Sequence, residues 1–336
     1  MNILVTGGTG FIGSHTVVEL VNAGFTPILV DNFANSQQSV MAGLKKILGF
    51  EPVLYNIDCN DAAAMREVLV KENIEGVIHF AAHKAVGESV KNPLKYYENN
   101  IGSTVTLLKL MLELNIKNLV FSSSCTVYGE PDFIPVTEAS PRKPAASPYG
   151  STKVMCEDIL RDTAASNAIK IIALRYFNPI GAHETAEIGE LPNGVPSNLI
   201  PFVTQTAAGV REQLTIFGDD YDTIDGTNVR DYIHVVDLAK AHVAAFAYLK
   251  KVEETQFYDI FNIGTGQGNS VLEIVRTFEK VNGIKVNYKI GPRRSGDVEK
   301  IYGDVAKAKA VLGWQTQKTL EESLVDAWRW QQKVSL

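Results

Sequence analysis

Apolar residues follow two distinct patterns from the start of the chain to about residue 178. Short, nearly unbroken apolar runs lie at 2–7, 26–31, 52–57, 76–81, 118–123 and 170–177. Such runs are typical of strands that are buried on both faces of a parallel sheet. Between them, apolar residues recur at helical spacing, as at Val105, Leu108 and Leu112. This alternation predicts an α/β fold, in which a doubly wound parallel sheet carries helices on both faces.

The pattern changes after Asn178. Residues 179–198 are rich in Gly, Pro and Asn, which is typical of a long connection. Beyond them, helical and strand-like segments are mixed, with one strand predicted at 258–264. We therefore predict two domains, residues 1–178 and residues 179–336, and expect the second to be a smaller mixed α/β unit that closes over the edge of the sheet.

Composition and charge narrow the kind of partner. The chain has 336 residues, 45% of them hydrophobic, and a formal net charge of −6. These values, without any block of Lys or Arg, argue against a nucleic acid or an anionic membrane as the main partner. The first residues enter an apolar run without the features of a secretory signal, and no apolar run reaches the length of about 18 residues that a spanning helix needs. We expect a soluble cytoplasmic protein.

Cysteine and histidine spacing gives no sign of a disulfide framework or a metal site. Cys59, Cys125 and Cys156 are odd in number and widely spaced, and they form no CxxC motif. His79 and His83 are four residues apart, but they straddle the end of a predicted strand and no third ligand is apparent. We expect no metal ion, and we interpret Cys125 as a packing residue.

A glycine-rich segment, TGGTGFIGSH, follows the first predicted strand. Its Gly7, Gly10 and Gly13 fit a GxxGxxG motif, which lets the backbone turn closely under a pyrophosphate at the start of a helix. Asp31 lies at the end of the second predicted strand, where a carboxylate can bind a ribose hydroxyl. Asn32 follows it and no Lys or Arg is near, so NAD is favoured over NADP. The motif predicts a Rossmann-type dinucleotide site.

The stretch SPYGSTK carries the candidate chemistry. Ser147 suits a helix N-cap and Pro148 suits the first helical position. Tyr149 and Lys153 then share one helix face, where a lysine ammonium favours the phenolate form of the tyrosine. Ser124, at the carboxyl end of the fifth predicted strand, completes the candidate catalytic set. With a dinucleotide site nearby, this set favours Tyr149 as a general base.

Together these motifs resemble the extended short-chain dehydrogenase/reductase family. The similarity covers essentially the whole chain, through the stretches HFAAHKAVGESV, SSSCTVYGE, SPYGSTK, LRYFNPIGAH, VRDYIHVVDLA, NIGTGQGNSV and PRRSGD. The resemblance implies an NAD-dependent isomerase that interconverts UDP-glucose and UDP-galactose by inversion at sugar C4, with a 4-keto intermediate and NAD as internal hydride carrier. It also implies an NAD-binding first domain, a UDP-sugar-binding second domain and a homodimer.

The resemblance assigns roles to individual positions. The implied catalytic positions are Ser124, Tyr149 and Lys153. The implied cofactor-binding positions are Gly7, Gly10, Phe11, Ile12, Gly13, Asp31, Asn32, Asn35, Ser36, Asp58, Phe80, Ala81, Lys84, Asn99, Ser122, Tyr149, Lys153, Tyr176 and Phe177. The implied substrate-binding positions are Ser124, Tyr149, Phe177, Asn178, Asn198, Leu199, Phe217, Arg230, Tyr232, Arg294, Asp297 and Ile301. Arg293, beside them, is more typical of a surface ion pair.

The resemblance leaves the range of sugars and the exact reaction to be decided. Ile301, four residues after Asp297, stands where the family borders the sugar 2-substituent; its intermediate size predicts weak activity on UDP-N-acetylhexosamines beside the main pair. Another NAD-dependent nucleotide-sugar epimerase or a 4,6-dehydratase is an alternative, although dehydratases carry an Asp-Glu pair where this chain has Cys125 and Thr126. A non-catalytic NAD-sensing protein is a second alternative, although such proteins typically lack the tyrosine or the lysine.

Overall fold

A seven-stranded parallel sheet forms the centre of the larger lobe. This computed structural model describes residues 1–294 and 297–335. The strands are β1 (Asn2–Thr6), β2 (Thr26–Val30), β3 (Val53–Tyr55), β4 (Gly76–His79), β5 (Asn118–Ser122), β6 (Lys170–Tyr176), β7 (Asn178–Ile180), β8 (Leu214–Phe217), β9 (Val229–Arg230), β10 (Tyr232–His234), β11 (Phe257–Ile263), β12 (Asn269–Ser270), β13 (Tyr288–Gly291) and β14 (Lys300–Ile301). The order in the large sheet is β11-β6-β5-β4-β1-β2-β3, with all neighbours parallel. The prediction of a doubly wound, Rossmann-type sheet is confirmed.

Helices cover both faces of this sheet. They are α1 (Phe11–Asn22), α2 (Ser39–Leu48), α3 (Ala62–Lys71), α4 (Val86–Lys91), α5 (Pro93–Tyr96), α6 (Gly102–Glu113), α7 (Pro148–Ser166), α8 (Leu199–Ala207), α9 (Val235–Leu249), α10 (Val271–Asn282) and α11 (Leu320–Val334), with π-helical turns at Tyr97–Ile101 and Ala308–Leu312 and a 3₁₀ turn at Cys125–Tyr128. Because side chains alternate along a strand, Ile3 and Val5 of β1 join one apolar core with Phe246 of α9. Leu4, between them, joins the opposite core with Leu160 of α7.

The smaller lobe packs three helices against short sheets. α8, α10 and α11 share an apolar core with β8 and β10, which includes Phe278 and Leu324. Its strands pair as β7 with β10, β8 with β13, and β9 between β12 and β14. A further apolar cluster, which includes Cys125, Phe177 and Ile301, joins the two lobes. Through this cluster, the smaller lobe contacts the carboxyl ends of β5 and β6.

Two elements from the second half of the chain return to the large sheet. β11 pairs with β6 along its length, from Phe257 opposite Lys170 to Ile263 opposite Tyr176. α9 packs into the same apolar core as α1. The sequence pattern placed the strand at 258–264 in the second domain, and the structure differs because pairing with β11 covers an edge that β6 would otherwise expose. The division at residue 178 stays a prediction, with α9 and β11 lying beyond it in the larger lobe.

The described residues include no membrane-spanning helix, no metal-binding cluster and no disulfide. Among their helices, none is both long enough and apolar enough to cross a membrane. No three His, Cys, Asp or Glu side chains within residues 1–294 and 297–335 come together as they would around a metal ion. Cys59, Cys125 and Cys156 are buried and free. The burial of Cys125 beside Phe177 agrees with its interpretation as a packing residue.

Candidate active site

A cleft opens at the carboxyl ends of the parallel strands, between the two lobes. Its volume is about 490 Å³. Open α/β sheets bind ligands at this edge, in the crevice where the strand order reverses. Every predicted cofactor position, from Gly7 to Phe177, lines the cleft. The structure therefore brings these positions together, while their contact with a cofactor stays a prediction.

The turn after β1 leaves room for an anion at the start of α1. Gly7 has a φ of 68°, in the left-handed region that favours glycine, and a Cβ there would lie 3.0 Å from the nitrogen of Ala81. A Cβ at Gly13 would collide with the carbonyl oxygen of Gly7. No side chain caps the first turn of α1. Its unshielded N–H groups and the helix dipole attract negative charge, so this turn fits a pyrophosphate.

Asp31 organises the loop that follows β2. Its carboxylate accepts hydrogen bonds from the backbone N–H groups of Thr9 at 3.1 Å and Phe33 at 2.9 Å. It also accepts a hydrogen bond from the Ser36 hydroxyl at 2.9 Å. These partners are neutral, so the carboxylate keeps its negative charge unbalanced at the cleft. The arrangement suits a hydroxyl ligand and disfavours a second anion.

Ser124, Tyr149 and Lys153 lie together in the cleft. Ser147 caps α7, its hydroxyl accepting a hydrogen bond from a first-turn backbone N–H at 3.2 Å. This start places Tyr149 and Lys153 on one face, and Lys153 Nζ lies 6.0 Å from the centre of the Tyr149 ring. Lys153 Nζ donates a hydrogen bond to the carbonyl oxygen of Ser122 at 2.6 Å. The predicted set is therefore assembled at the end of β5.

Burial controls the ionisation of both titratable members of this set. It raises the pKa of Tyr149 above its usual value, and the nearby Ser124 hydroxyl opposes the rise. Burial also lowers the pKa of Lys153 to about 8, against the charge of Glu157. The ammonium is directed at the Ser122 carbonyl rather than at the phenol, which is why burial prevails at Tyr149. With no cofactor bound, the phenol of Tyr149 stays protonated at neutral pH.

The predicted substrate positions fall into two groups. Those that line the cleft are Ser124, Tyr149, Phe177, Asn178 and Asn198. Those that lie in the smaller lobe outside the cleft lining are Leu199, Phe217, Arg230, Tyr232, Arg294, Asp297 and Ile301. Arg293 pairs with the exposed Asp220 at 2.7 Å, as expected for a surface ion pair.

Part of the second group lies near β9. Arg230 on β9 is opposite Ile301 on β14. Arg294 pairs with Asp297 at 2.7 Å. Burial raises the pKa of Tyr232 to about 12, opposed by the charge of Arg230 and increased by that of Asp297. Tyr232 therefore lies near charges of both signs in the smaller lobe, outside the cleft lining.

Glu190, which the sequence patterns did not single out, connects two predicted positions. Its Oε1 accepts hydrogen bonds from Lys84 Nζ at 3.2 Å and from Asn198 Nδ2 at 2.6 Å. Trp330 Nε1 donates a hydrogen bond to the backbone carbonyl oxygen of Glu190 at 2.9 Å. The sequence offered no signal that singles it out, because it is one of three glutamates within the Gly- and Pro-rich residues 179–198. Glu190 therefore ties a cofactor position to a substrate position across the cleft.

The π-helical turn at Tyr97–Ile101 shapes another part of the site and was not predicted. Asn99 of this turn lines the cleft. Asn100 Oδ1 accepts a hydrogen bond from the backbone N–H of His83 at 2.8 Å, and its Nδ2 donates one to Thr152 Oγ1 at 3.1 Å. Such turns insert one residue into a helix and are frequent at functional sites. The insertion lets neighbouring asparagines face the cleft and α7.

Comparison with known proteins agrees with this geometry. A family model described as GDP-mannose 4,6 dehydratase matches residues 4–327. The UDP-glucose 4-epimerase of Bacillus subtilis (strain 168) is 52% identical over 332 residues, which cover 98% of this chain and 97% of that protein. The UDP-glucose 4-epimerase of Drosophila melanogaster is 48% identical over 336 residues, with 98% and 96% covered.

Solved structures give the same result. UDP-glucose 4-epimerase from Stenotrophomonas maltophila, with bound NAD and formylated UDP-arabinopyranose, is similar with a TM-score of 0.96 and 46% identity, over 100% of this chain and 99% of that chain. The Bifidobacterium longum enzyme, in complex with NAD⁺ and UDP, has a TM-score of 0.95 and 46% identity, over 99% and 98%. These similarities confirm the resemblance of the motifs, and the chain belongs to the UDP-glucose 4-epimerase family.

Proposed function

We propose that this protein interconverts UDP-glucose and UDP-galactose by inversion at sugar C4. The observation that carries the proposal is the set of Ser124, Tyr149 and Lys153 at the same strand edge as the glycine-rich turn. A proton acceptor and a dinucleotide cradle at one edge support the oxidation of a secondary alcohol and its reversal. UDP-glucose 4-epimerases of about half identical sequence, over nearly the full chain, support the same activity.

The residues of the cleft fit NAD. The turn from Gly7 to Gly13 would hold the pyrophosphate, and Asp31 would bind the adenosine ribose. The 2′-phosphate of NADP would meet the Asp31 carboxylate, whose hydrogen-bond partners are neutral, so NAD fits better. When bound, NAD supplies the acceptor and donor of one hydride at sugar C4 and a positively charged ring beside the phenol.

Tyr149 moves the proton in this proposal. It takes the proton from the sugar 4-hydroxyl as C4 is oxidised, and returns it when C4 is reduced from the other face. Lys153 places a positive charge 6.0 Å from the ring centre and lowers the cost of the phenolate. Ser124 hydrogen-bonds the reacting oxygen. Between the two steps, the 4-keto sugar rotates about its link to the diphosphate and presents its opposite face.

The smaller lobe offers groups that suit UDP. Arg230 and Arg294 present guanidinium groups, which pair bidentately with phosphate oxygens. The guanidinium of Arg294 lies 5.5 Å from the ring centre of Phe217, and this partly exposed ring offers a surface for uracil. Asn178 and Asn198 line the same cleft as the catalytic set. The UDP end would therefore stay bound while the sugar rotates.

Ile301 bears on the range of sugars. It is buried in an apolar cluster with Cys125 and Phe177, both of which line the cleft. A 2-acetamido group needs more room than a hydroxyl, and isoleucine leaves an intermediate space. We infer that UDP-glucose and UDP-galactose are the main pair, with weak activity on UDP-N-acetylhexosamines. A kcat/KM for UDP-N-acetylgalactosamine equal to that for UDP-galactose would contradict this ranking.

Turnover without added reductant tests the function. Purified protein is incubated with NAD and either UDP-galactose or UDP-glucose, and the sugars are separated by chromatography. The expected result is the same equilibrium mixture from both directions, without net accumulation of NADH. A failure to interconvert the two sugars would contradict the proposal.

The same assay separates the two alternatives. A 4-keto-6-deoxy product would indicate a 4,6-dehydratase, which the name of the matching family model favours. Cys125 and Thr126 oppose it, because neither side chain protonates a leaving hydroxyl well. Bound NAD without conversion of any UDP-sugar would indicate a sensor. The presence of both Tyr149 and Lys153 in the cleft supports the enzyme instead.

We also infer a cytoplasmic homodimer. Large apolar side chains are exposed on the neighbouring helices α4, α5 and α7, namely Val90, Leu94 at 78% and Met155 at 43%. Exposed groups of this kind are typical of an interface between subunits. The free, buried cysteines suit a reducing compartment. Sedimentation should show a dimer for the wild type and a monomer for Leu94→Glu combined with Met155→Glu. Val210 is exposed at another part of the surface, so the control variant Val210→Glu should stay a dimer.

A further inference from the structure

A buried carboxylate lies on the same helix as Tyr149 and Lys153. Glu157 is 1% exposed and lies on α7, one turn after Lys153 and two turns after Tyr149. A carboxylate removed from water is unstable unless charged or polar partners replace its hydration. The proposed function gives this residue no task, so its partners are informative.

Arg175, on β6, is the main partner of Glu157. Its Nε donates to Oε1 at 2.9 Å and its Nη2 donates to Oε2 at 2.6 Å, so the pair is bidentate. The guanidinium of Arg175 lies 4.9 Å from the ring centre of Tyr128, and Arg142 Nη1 lies 3.7 Å from Oε2. Two parallel charged hydrogen bonds fix the plane of the carboxylate as well as its position. Glu157 is therefore a rigid anchor between α7 and β6.

This anchor also binds the segment that carries Ser124. Ser123 is fully buried, and its hydroxyl donates to Glu157 Oε1 at 2.6 Å. The preceding residue, Ser122, accepts a hydrogen bond from Lys153 Nζ through its carbonyl oxygen at 2.6 Å. The following residue, Ser124, lines the cleft. α7 therefore holds the last residue of β5 and the residue after it through two side chains that are one helical turn apart.

We propose that Glu157, fixed by Arg175, is a positioning residue that sets the distance between Ser124 and the Tyr149 phenol. It holds Ser123 against α7, so that the Ser124 hydroxyl and the phenol converge on the same sugar oxygen. This inference rests on the proposed function, because that oxygen belongs to the UDP-sugar. Proton transfer tolerates little displacement of the reacting groups, and a shift of about 1 Å costs on the order of a hundredfold in rate.

Ser123→Ala separates positioning from the buried ion pair. It removes the hydrogen bond to Glu157 and leaves Glu157 and Arg175 paired. The loss of a hydrogen bond to a charged group changes an equilibrium constant about tenfold or more. Because this bond holds Ser124 in place, kcat should fall about tenfold while the KM for UDP-galactose stays within about twofold. Glu157→Gln should lower kcat about a hundredfold, because it also leaves a buried charge unpaired. Asp162→Asn removes an exposed charge from the same helix and should keep the wild-type kcat.

Amide hydrogen exchange provides a readout that does not depend on turnover. In NAD-loaded protein, exchange of residues 122–126 should be about fivefold faster in Ser123→Ala and Glu157→Gln than in the wild type and Asp162→Asn. Unchanged exchange in the first two variants, or a wild-type kcat in Ser123→Ala, would overturn the proposal. A wild type that binds NAD but does not convert UDP-galactose would contradict the proposed function instead, and exchange would still show whether Glu157 holds the segment.

Discussion

Tyr149 and Lys153 are both buried, and burial shifts their pKa values in opposite directions. It raises the pKa of the phenol and lowers that of the ammonium to about 8. Their pairing was predictable from sequence, because two residues one helical turn apart are a local pattern. Their ionisation was not, because it depends on groups such as Ser122, which long-range strand pairing brings to α7. Glu190 was missed for the same reason, since its contacts cross the cleft.

Tyr149→Phe removes the proposed proton carrier and little else. The fold and NAD binding should be retained, and kcat should fall by about a thousandfold, the range attributed to positioned acid–base groups. Tyr258→Phe, on β11 outside the cleft lining, is a control that should keep its turnover. Steady-state kinetics with UDP-galactose makes the comparison. Near-normal turnover in Tyr149→Phe would exclude the tyrosine as the base.

Lys153 should make stability depend on pH in a defined direction. Burial lowers its pKa from 10.5 to about 8, so between these values the unfolded chain binds more protons than the folded one. The free energy of unfolding contributed by Lys153 therefore rises with pH in this window. Relative to Lys153→Met, the wild type should gain about 2 kcal/mol between pH 7.5 and 10. Urea unfolding of nucleotide-free protein measures this; a difference that does not change with pH would contradict it.

Helix and strand ends place the site. α7 begins at a Ser147 cap followed by proline, and α8 begins after Asn198, which lines the cleft. The start of α7 was predictable, because caps are short local signals. The π-helical turn at Tyr97–Ile101 was not, because one inserted residue leaves no periodic trace in the sequence. Local chemistry therefore predicts where a helix starts better than how it is wound.

The cap of α7 should matter for turnover as well as for stability. Ser147→Ala loses the hydrogen bond to the first turn and should lower the free energy of unfolding by about 1 kcal/mol. The same loosened turn carries Tyr149, so kcat should fall severalfold. Thr319→Ala removes the matching cap of α11, away from the cleft lining, and should cost similar stability without loss of kcat. Equal kcat values in the two variants would show that the cap only stabilises the helix.

The large sheet takes its strands from both sides of residue 178. β1 to β6 lie within residues 1–178, whereas β11 and α9 come from the later part of the chain. The strand at 258–264 was predicted as a strand, but its apolar pattern does not state which sheet it joins. That choice depends on the free edge of β6 and on the burial of residues such as Phe246 and Phe261. The fold class was accessible from sequence, and the interleaving of the lobes was not.

Three buried histidines should make the whole protein sensitive to acid. Burial lowers the pKa of His15 and His79 to about 3 and that of His242 to about 4. The unfolded chain therefore binds more protons at these three sites below pH 6.5, and their contribution to the free energy of unfolding falls as pH falls from about 6.5 towards 4, by up to about 4 kcal/mol per pH unit. His242→Phe should reduce this slope by about 1.4 kcal/mol per pH unit and keep the contact with Phe80. Urea unfolding at pH 7, 6 and 5 measures both slopes; equal slopes would contradict the assignment.

The late position of β11 has a consequence for synthesis on the ribosome. The six strands that precede it in the large sheet are complete once Tyr176 has been made, but β11 ends at Ile263. During the translation of the residues between them, β6 presents an unpaired parallel edge in the nascent chain. Unpaired edges of partly made domains pair with other chains and are bound by chaperones. The elongation speed across residues 177–263 therefore sets how long each new molecule is exposed to misassembly.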